Sequence, residues 1–155
     1  MSAAAKDRER ALTVSGKEEL ERAAEAMAES GYEFDVVASS PLRRAKETAM
    51  VVQRALKRKA PVEEWQELSP EGNREALYKR LARLKPDASV LIVGHEPYLT
   101  TAMGEIIGAG AEGAERLRIA LKKGGMARLS VPGFTPRISG ELRWLLTPKQ
   151  IRKLD

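Results

Sequence analysis

The stretch Ala88-Ser89-Val90-Leu91-Ile92-Val93-Gly94-His95-Glu96-Pro97 decides the fold class of this chain. Its apolar run from Val90 to Val93 has no polar alternation, which is typical of a central parallel strand that is buried on both faces. A tight turn follows at Gly94, and apolar residues then recur at helical spacing from about Tyr98 to Ile107. A strand that leads at once into a helix is the unit from which parallel α/β sheets are built.

The same strand–helix pattern occurs earlier in the chain. Phe34-Asp35-Val36-Val37-Ala38 is a short apolar run with β-branched residues and predicts a buried strand. Ser39-Ser40-Pro41 follows it directly. Because serine is a good helix N-cap and proline a good first helical residue, the next helix is predicted to begin near Pro41.

The other elements complete an alternation of strands and helices. Residues 1–12 show no periodicity and are predicted to be irregular. Ser15 and Glu18 fit a capping box that begins a helix ending at Ser30-Gly31. Further predictions are a short strand at 62–65, a helix from 71–73 onwards, a turn at 108–113, strands at 126–131 and 141–146 joined by a loop at 132–140, and a last short helix capped at 147–150. The pattern predicts one domain over 1–155, a three-layer αβα sandwich with a mostly parallel sheet.

Composition and charge exclude several classes of protein. The chain has 155 residues, of which 43% are hydrophobic and 32% charged, an ordinary globular balance. The absence of cysteine excludes disulfides and thiolate chemistry. No apolar run is long enough to span a bilayer and the N-terminus lacks the apolar core of a signal peptide, so a cytoplasmic location without membrane contact is the expectation.

The charge of +5 indicates a surface rich in lysine and arginine. Aromatic residues make up only 5% and the basic residues mostly alternate with glutamate, which argues against nucleic acid as a partner. A preference for phosphorylated or acidic substrates is compatible with this charge.

Two strand ends carry residues that could bind an anion. Arg43 and Arg44 lie at the predicted helix N-terminus after the first strand, where backbone N–H groups and guanidinium groups both favour phosphate. His95, the only histidine, follows the other strand and could donate hydrogen bonds to a phosphoryl oxygen or transfer a proton. An ordinary capped surface helix and a structural histidine are the alternatives. One histidine without cysteine argues against a zinc site.

Several motifs, in the right order and spacing, resemble those of the histidine phosphatase superfamily. The stretch from Ala38 to Ala49 is similar to its serine-proline-x-x-arginine-alanine-x-x-threonine-alanine motif, and the stretch from Val90 to Pro97 resembles the motif that carries its second active-site histidine. Arg10-Ala11-Leu12-Thr13 with Gly16 resembles the run that leads into the family's first helix. The segments 123–129 and 142–148 are similar to the last strands of the SixA-type phosphohistidine phosphatase branch.

The resemblance implies roles for individual residues. Arg44, directly before alanine, matches the phosphate-binding arginine, and His95 matches the histidine that stabilises the transferring phosphoryl group. Ser39 and Ser40 would shape the turn, with one of them touching the phosphate. The proton donor is left open between Glu71, in the stretch where larger relatives place one, and Glu96, beside the histidine.

The family's first motif, a strand ending in arginine-histidine-glycine, is absent from the sequence. In the family that histidine attacks the phosphoryl group, and His95 cannot fill both roles. Three explanations are open. Either the coding start lies further upstream, or the triplet comes from another chain or has been relocated by rearrangement, or the protein is a pseudoenzyme that binds phosphorylated ligands without turnover. That strand lies centrally in the family's sheet, so its loss would expose two strand edges. A substitute strand is therefore expected. If the triplet comes from another chain, an oligomeric partner supplies this strand.

The leading hypothesis is therefore a phosphatase that needs neither metal nor cofactor and acts on phosphohistidine in a partner protein or on a small phosphate ester. The chain as written would be inactive without the nucleophile. A non-catalytic phosphate-binding regulatory module is the alternative, and a small basic nucleic-acid binder is a third, less favoured, interpretation.

Overall fold

The structure, a computed structural model, describes residues 2–108 and 118–153, so most of the predicted turn at 108–113 lies outside the described residues. The helices, in chain order, are α1 (Ala3–Arg8), α2 (Val14–Glu29), α3 (Arg43–Ala55), α4 (Arg74–Ala82), α5 (Tyr98–Gly108) and α6 (Pro148–Ile151). The strands are β1 (Val36–Ser39), β2 (Glu63–Glu64), β3 (Val90–Val93), β4 (Met126–Gly133) and β5 (Ser139–Leu146), with a 3₁₀ turn at Gln66–Leu68.

The first three strands form a parallel sheet in the order β2-β1-β3. Val36 pairs with Val90 and Ser39 with Val93, so the two strands end level with each other. The α/β class and the parallel sheet are confirmed. The prediction that the run at Val90–Val93 is central is wrong for the described residues, because β1 holds the centre and β3 pairs on one side only.

Neighbouring residues of β1 pack on opposite faces of the sheet. Val37 packs with a cluster that includes Ala24 of α2 and Ala49 of α3. Ala38 packs with a second cluster, to which α4 and α5 contribute Tyr78 and Ala102. Because successive strand residues point to opposite faces, two helices cover each face, and the three-layer arrangement follows.

The outer edge of β3 is open. The backbone N–H of Asp35 donates to Ser89 O and that of Ser40 donates to Val93 O, at 2.7 and 3.0 Å. Because backbone groups alternate in direction along a strand, the N–H and C=O groups of Val90 and Ile92 point away from β1. No strand within residues 2–108 and 118–153 pairs with them.

The strands β4 and β5 form a separate antiparallel sheet rather than an extension of the parallel one. Their side chains still join the main core. Met126 packs against the cluster around Val37, while Leu129 and Val131 pack against the cluster around Ala38. The antiparallel sheet of the described residues thus packs against the clusters on both faces of the parallel sheet.

Three helix starts differ from the predictions. Residues 3–8 are helical rather than irregular. Thr13, not Ser15, caps α2, because its Oγ1 accepts from Gly16 N at 3.0 Å and Ser15 is already inside the helix. The next helix begins at Arg43 instead of near Pro41, because Leu42 has an extended backbone and is the N-cap residue. The capping box at Thr147 is confirmed. Within the part of the chain that is described, no helix combines the length and apolar character needed to cross a membrane.

Candidate active site

The carboxyl ends of β1 and β3 bring Ser40 and His95 into contact. Ser40 Oγ lies 2.5 Å from His95 Nε2. Ser40 is fully buried, and His95 is only 8% exposed. The contact joins residues 55 positions apart and depends on the level ends of the two parallel strands. Ligands of open α/β sheets bind at this end of the strands.

The turn after β1 is held by the two serines. Ser40 Oγ accepts from Leu42 N at 3.1 Å, and Ser39 Oγ donates to Ser40 O at 2.7 Å. Trp65 N donates to Ser39 O at 2.9 Å. The Ser40 hydroxyl therefore contacts both Leu42 N and His95 Nε2, and the tautomer of the imidazole decides which of the two atoms donates in the second contact.

The two neighbouring arginines of α3 have different environments. Arg43 is exposed and pairs with Glu47 one turn later, with 2.9 Å between Nε and Oε1. Arg44 is half-buried and lies in the first turn of α3, four residues after Ser40. The N–H groups of a first helical turn lack intrahelical acceptors and, with the helix dipole, favour an anion. Arg44 is thus half-buried and belongs to the helix that begins three residues after Ser40 in the sequence.

Glu47 is a residue that the sequence reasoning missed. Its Oε2 accepts from Leu12 N at 2.9 Å and thereby fixes the segment before α2 to α3. The Leu12 N–H lowers the pKa of the Glu47 carboxyl, and Arg43 adds to the effect. The one signal in the sequence is the spacing of Arg43 and Glu47, which places them one turn apart on a helix.

Glu71, one of the two candidate acids, pairs with Arg8 and is influenced electrostatically by His95. Its carboxylate pairs with Arg8 at the end of α1, and both side chains are exposed. The hydrogen bond from Arg8 lowers the pKa of Glu71, and His95 contributes a smaller effect in the same direction. A carboxyl group with a lowered pKa is ionised at neutral pH and is a poor proton donor there.

Glu96 faces its own helix. Its Oε2 accepts from Thr100 Oγ1 at 2.6 Å, and its Oε1 accepts from Thr100 N at 3.2 Å. These bonds cap the start of α5, while Leu99 N donates to His95 O at 2.9 Å. Of the two candidate acids, Glu71 is the one influenced electrostatically by His95, whereas Glu96 accepts hydrogen bonds from Thr100.

A network behind the site ties α4 to α5. Glu105 Oε2 accepts from Tyr78 OH at 2.8 Å, and Arg74 donates to Glu105 Oε1 at 2.7 Å. Tyr98, the first residue of α5, donates its hydroxyl to Glu67 O, and burial raises the pKa of Tyr98 to about 12. These bonds fix the helix that follows His95.

The described residues offer groups for an anion rather than ligands for a cation. Among residues 2–108 and 118–153, no group of three or more carboxylate or imidazole side chains is arranged around a common point that could hold a metal ion. A buried hydroxyl–imidazole pair, a half-buried arginine and a helix N-terminus are each of the kind of group that binds a tetrahedral oxyanion.

Comparison with known proteins agrees with the motifs and the fold. Residues 5–70 match the model of the histidine phosphatase superfamily, branch 1. An uncharacterized protein of Picosynechococcus sp. is 32% identical over 149 residues, which cover 94% of this chain and 87% of the relative.

Solved structures resemble the whole fold. The protein histidine phosphatase SixA complexed with tungstate superposes with a TM-score of 0.81 at 24% identity, covering 97% of this chain and 92% of that chain. A candidate phosphohistidine phosphatase SixA from Nakamurella multipartitia gives a TM-score of 0.71 at 26% identity, covering 95% and 90%. The chain belongs to the histidine phosphatase superfamily, and its fold is that of the family's SixA-like members.

Proposed function

We propose that this protein binds the phosphoryl group of phosphohistidine in a partner protein at the ends of β1 and β3, and that it hydrolyses that group when a nucleophilic histidine is supplied. The observation that carries the proposal is the 2.5 Å contact between Ser40 and His95 beside the N-terminus of α3. The SixA proteins among the similar structures support the choice of substrate.

Arg44 and His95 hold the phosphoryl group in this proposal. Arg44 neutralises two of its oxygens, because a guanidinium matches a phosphate in a bidentate way. His95 donates from its ring to a third oxygen, and Ser40 fixes the orientation of that ring. The N–H groups at the start of α3 add stabilisation that grows as charge builds on the equatorial oxygens.

In this proposal His95 is not the nucleophile, and a second histidine is required. The sequence has one histidine, and that histidine is held by Ser40. The outward N–H and C=O groups of β3 can pair with one further strand. If that strand ran parallel to β3, its carboxyl end would lie beside His95. We infer that the nucleophilic histidine is presented on a strand that ends in arginine-histidine-glycine and pairs with this edge.

The chemistry needs little help from a general acid. In the first step the nucleophilic imidazole nitrogen forms a bond to phosphorus, and the bond between phosphorus and the substrate imidazole breaks. The second ring nitrogen of the substrate imidazole can carry a proton near neutral pH, so the group leaves as neutral imidazole when the bond to phosphorus breaks. Water then cleaves the enzyme phosphohistidine to give phosphate. The ionised state of Glu71 is compatible with phosphohistidine and less so with an alkyl phosphate ester, whose alkoxide leaving group needs a proton.

A non-catalytic phosphate-binding module is the second candidate. The single histidine and the missing triplet favour it for the chain as printed. It shares the binding site with the first candidate but predicts no turnover in any form of the protein.

An assay of two matched forms separates the candidates. One form is extended upstream by a strand that ends in arginine-histidine-glycine, and its control carries alanine in place of the added histidine. The phosphatase proposal predicts that the first form releases phosphate from a protein phosphohistidine and that the control does not. Both forms should bind tungstate. Absence of phosphohistidine and phosphate-ester hydrolysis by an extended form that binds tungstate would reject the enzyme and leave the binding module.

A further inference from the structure

An ion pair between Arg8 and Glu71 lies next to the candidate active site. It joins the last residue of α1 to the loop before α4, 63 positions away in the sequence. Each partner of the pair is connected to the Ser40–His95 contact by its own set of contacts. The position of the pair therefore follows from two independent observations.

The Glu71 side of the pair is fixed beside the helix that follows His95. Gly72, the next residue, packs so closely on the Glu67 carbonyl oxygen that a Cβ added to it would lie 2.1 Å from that atom. The same oxygen accepts a hydrogen bond from the hydroxyl of Tyr98, the first residue of α5. The loop that carries Glu71 and the start of α5 thus meet at one backbone atom.

The Arg8 side of the pair adjoins the turn after β1. Arg8 lines a cleft of about 370 Å³ together with Leu42. Leu42 N donates to Ser40 Oγ, which is the atom in contact with His95. Arg8 therefore borders the turn after β1, while the loop of its carboxylate partner borders the helix after β3, and the ion pair joins the two.

The charges of this pair affect an anion in the site. The hydrogen bond from Arg8 lowers the pKa of Glu71, and His95 lowers the same pKa to a smaller extent, so Glu71 is ionised at neutral pH. An ionised carboxylate repels an oxyanion that lies within about a Debye length, ~10 Å at 0.1 M salt. The positive charge of Arg8 offsets this repulsion.

We propose that Arg8 is a positioning residue of the phosphoryl site, which holds Glu71 in place and cancels its charge so that a dianionic phosphoryl group can bind beside His95. The inference rests on the proposed function, and it gives α1 a part in substrate binding. Arg8 acts through Glu71 and does not touch the anion. Glu71, kept ionised, is an electrostatic element of the site rather than its proton donor.

Tungstate binding by three variants tests the proposal through the sign of each effect. Arg8→Gln leaves Glu71 uncompensated and should weaken tungstate binding about three- to tenfold at low salt. Glu71→Gln leaves Arg8 without its carboxylate and should tighten binding by a similar factor. The variant with both changes should bind like the unmodified protein. Because both single variants break the same ion pair, a purely structural role would move the affinity in one direction.

The matched control is the ion pair of Arg143 with Glu141 in β5, which has similar exposure. Its side chains are 56 and 65% exposed, against 48 and 61% for Arg8 and Glu71. Arg143→Gln and Glu141→Gln make the same changes in net charge and should leave tungstate affinity unchanged. Raising the salt concentration should reduce the effects of Arg8→Gln and Glu71→Gln.

Three results of the tungstate titrations would overturn the proposal. The first is a change of the same sign in Arg8→Gln and Glu71→Gln, and the second is a change no larger than in the control variants. The third is a double variant as weak as Arg8→Gln, because Arg8 would then bind the anion itself. If the unmodified protein binds no tungstate, the proposed function fails and this inference with it. If the protein binds tungstate and Arg8→Gln leaves the affinity unchanged, only this inference is rejected.

Discussion

Ser40 Oγ and His95 Nε2 lie 2.5 Å apart across the level ends of two parallel strands. This contact makes the two strand–helix units of the chain into one site. His95 is buried there, and Ser40 Oγ also accepts from the backbone N–H of Leu42, the N-cap residue of α3.

Replacing Ser40 by alanine should therefore cost more than replacing Ser39. Ser40→Ala removes a hydroxyl that contacts both His95 and Leu42 N, whereas Ser39→Ala removes one bond to the neighbouring carbonyl. Both side chains are fully buried, which makes the pair well matched. We expect Ser40→Ala to lower the free energy of unfolding by about 2–3 kcal/mol and Ser39→Ala by about 1 kcal/mol.

Chemical denaturation measures both losses, and the NMR signals of the His95 ring report its orientation. Equal losses in the two variants, with an unchanged His95 ring in Ser40→Ala, would contradict the structural role of this contact.

Arg44→Ala should weaken binding of tungstate or inorganic phosphate by about 10- to 100-fold, the effect of losing charge-assisted hydrogen bonds. Arg54→Ala is the control, since it removes an exposed arginine from the far end of the same helix. Isothermal titration calorimetry on both variants checks the prediction. A similar Kd for Arg44→Ala and Arg54→Ala would remove Arg44 from the site.

The fold class could be predicted from the sequence, and so could the meeting of the two strand ends that carry Ser40 and His95, because each strand has a strong local signal. The apolar runs of β1 and β3 are short, bounded by turns and followed by helices, and the candidate residues stand where those runs end. Parallel pairing then brings Ser40 and His95 together, as a parallel sheet requires.

The remaining features depend on contacts between distant segments. Glu47 looks like an ordinary surface glutamate until the fold brings Leu12 to it, 35 positions away. Glu96, next to the histidine in sequence, instead caps α5 through Thr100. The edge position of β3 depends on which other strand is present, and the apolar pattern of β3 alone carries no information about that partner.

Glu47 should make the fold sensitive to acid. Its pKa in the folded protein lies below the ordinary value of 4.5, chiefly because of the Leu12 N–H. A carboxyl with a lowered folded pKa stabilises the protein above its unfolded pKa, and this stabilisation disappears as pH falls through the folded pKa. We expect Glu47→Gln to be less stable than the unmodified protein at neutral pH and the difference to shrink below pH 4.5. Denaturation curves measured across this pH range give the difference in stability between the two proteins. A difference that grows on acidification would contradict the prediction.

Gly72 should tolerate no side chain. A Cβ at this position would lie 2.1 Å from Glu67 O, a backbone atom, so the loop before Glu71 must move. At Gly94 the nearest atom to such a Cβ is Leu99 Cδ2 at 3.2 Å, and a leucine methyl group adjusts easily. Gly72→Ala is expected to destabilise the protein by about 1–3 kcal/mol, as overpacking does, and Gly94→Ala by less. Thermal unfolding compares them, and a milder effect of Gly72→Ala would show that the loop has another arrangement.

The central claim is that Arg44 and His95 grip the same tetrahedral anion, and a double-mutant cycle of tungstate binding tests it most directly. The cycle compares Arg44→Ala, His95→Asn and the variant with both changes. If the two side chains hold one anion, their losses are coupled, and the double variant loses less binding free energy than the sum of the single losses by more than about 0.5 kcal/mol. Losses that add without coupling, or a full affinity for tungstate in either single variant, would contradict the claim.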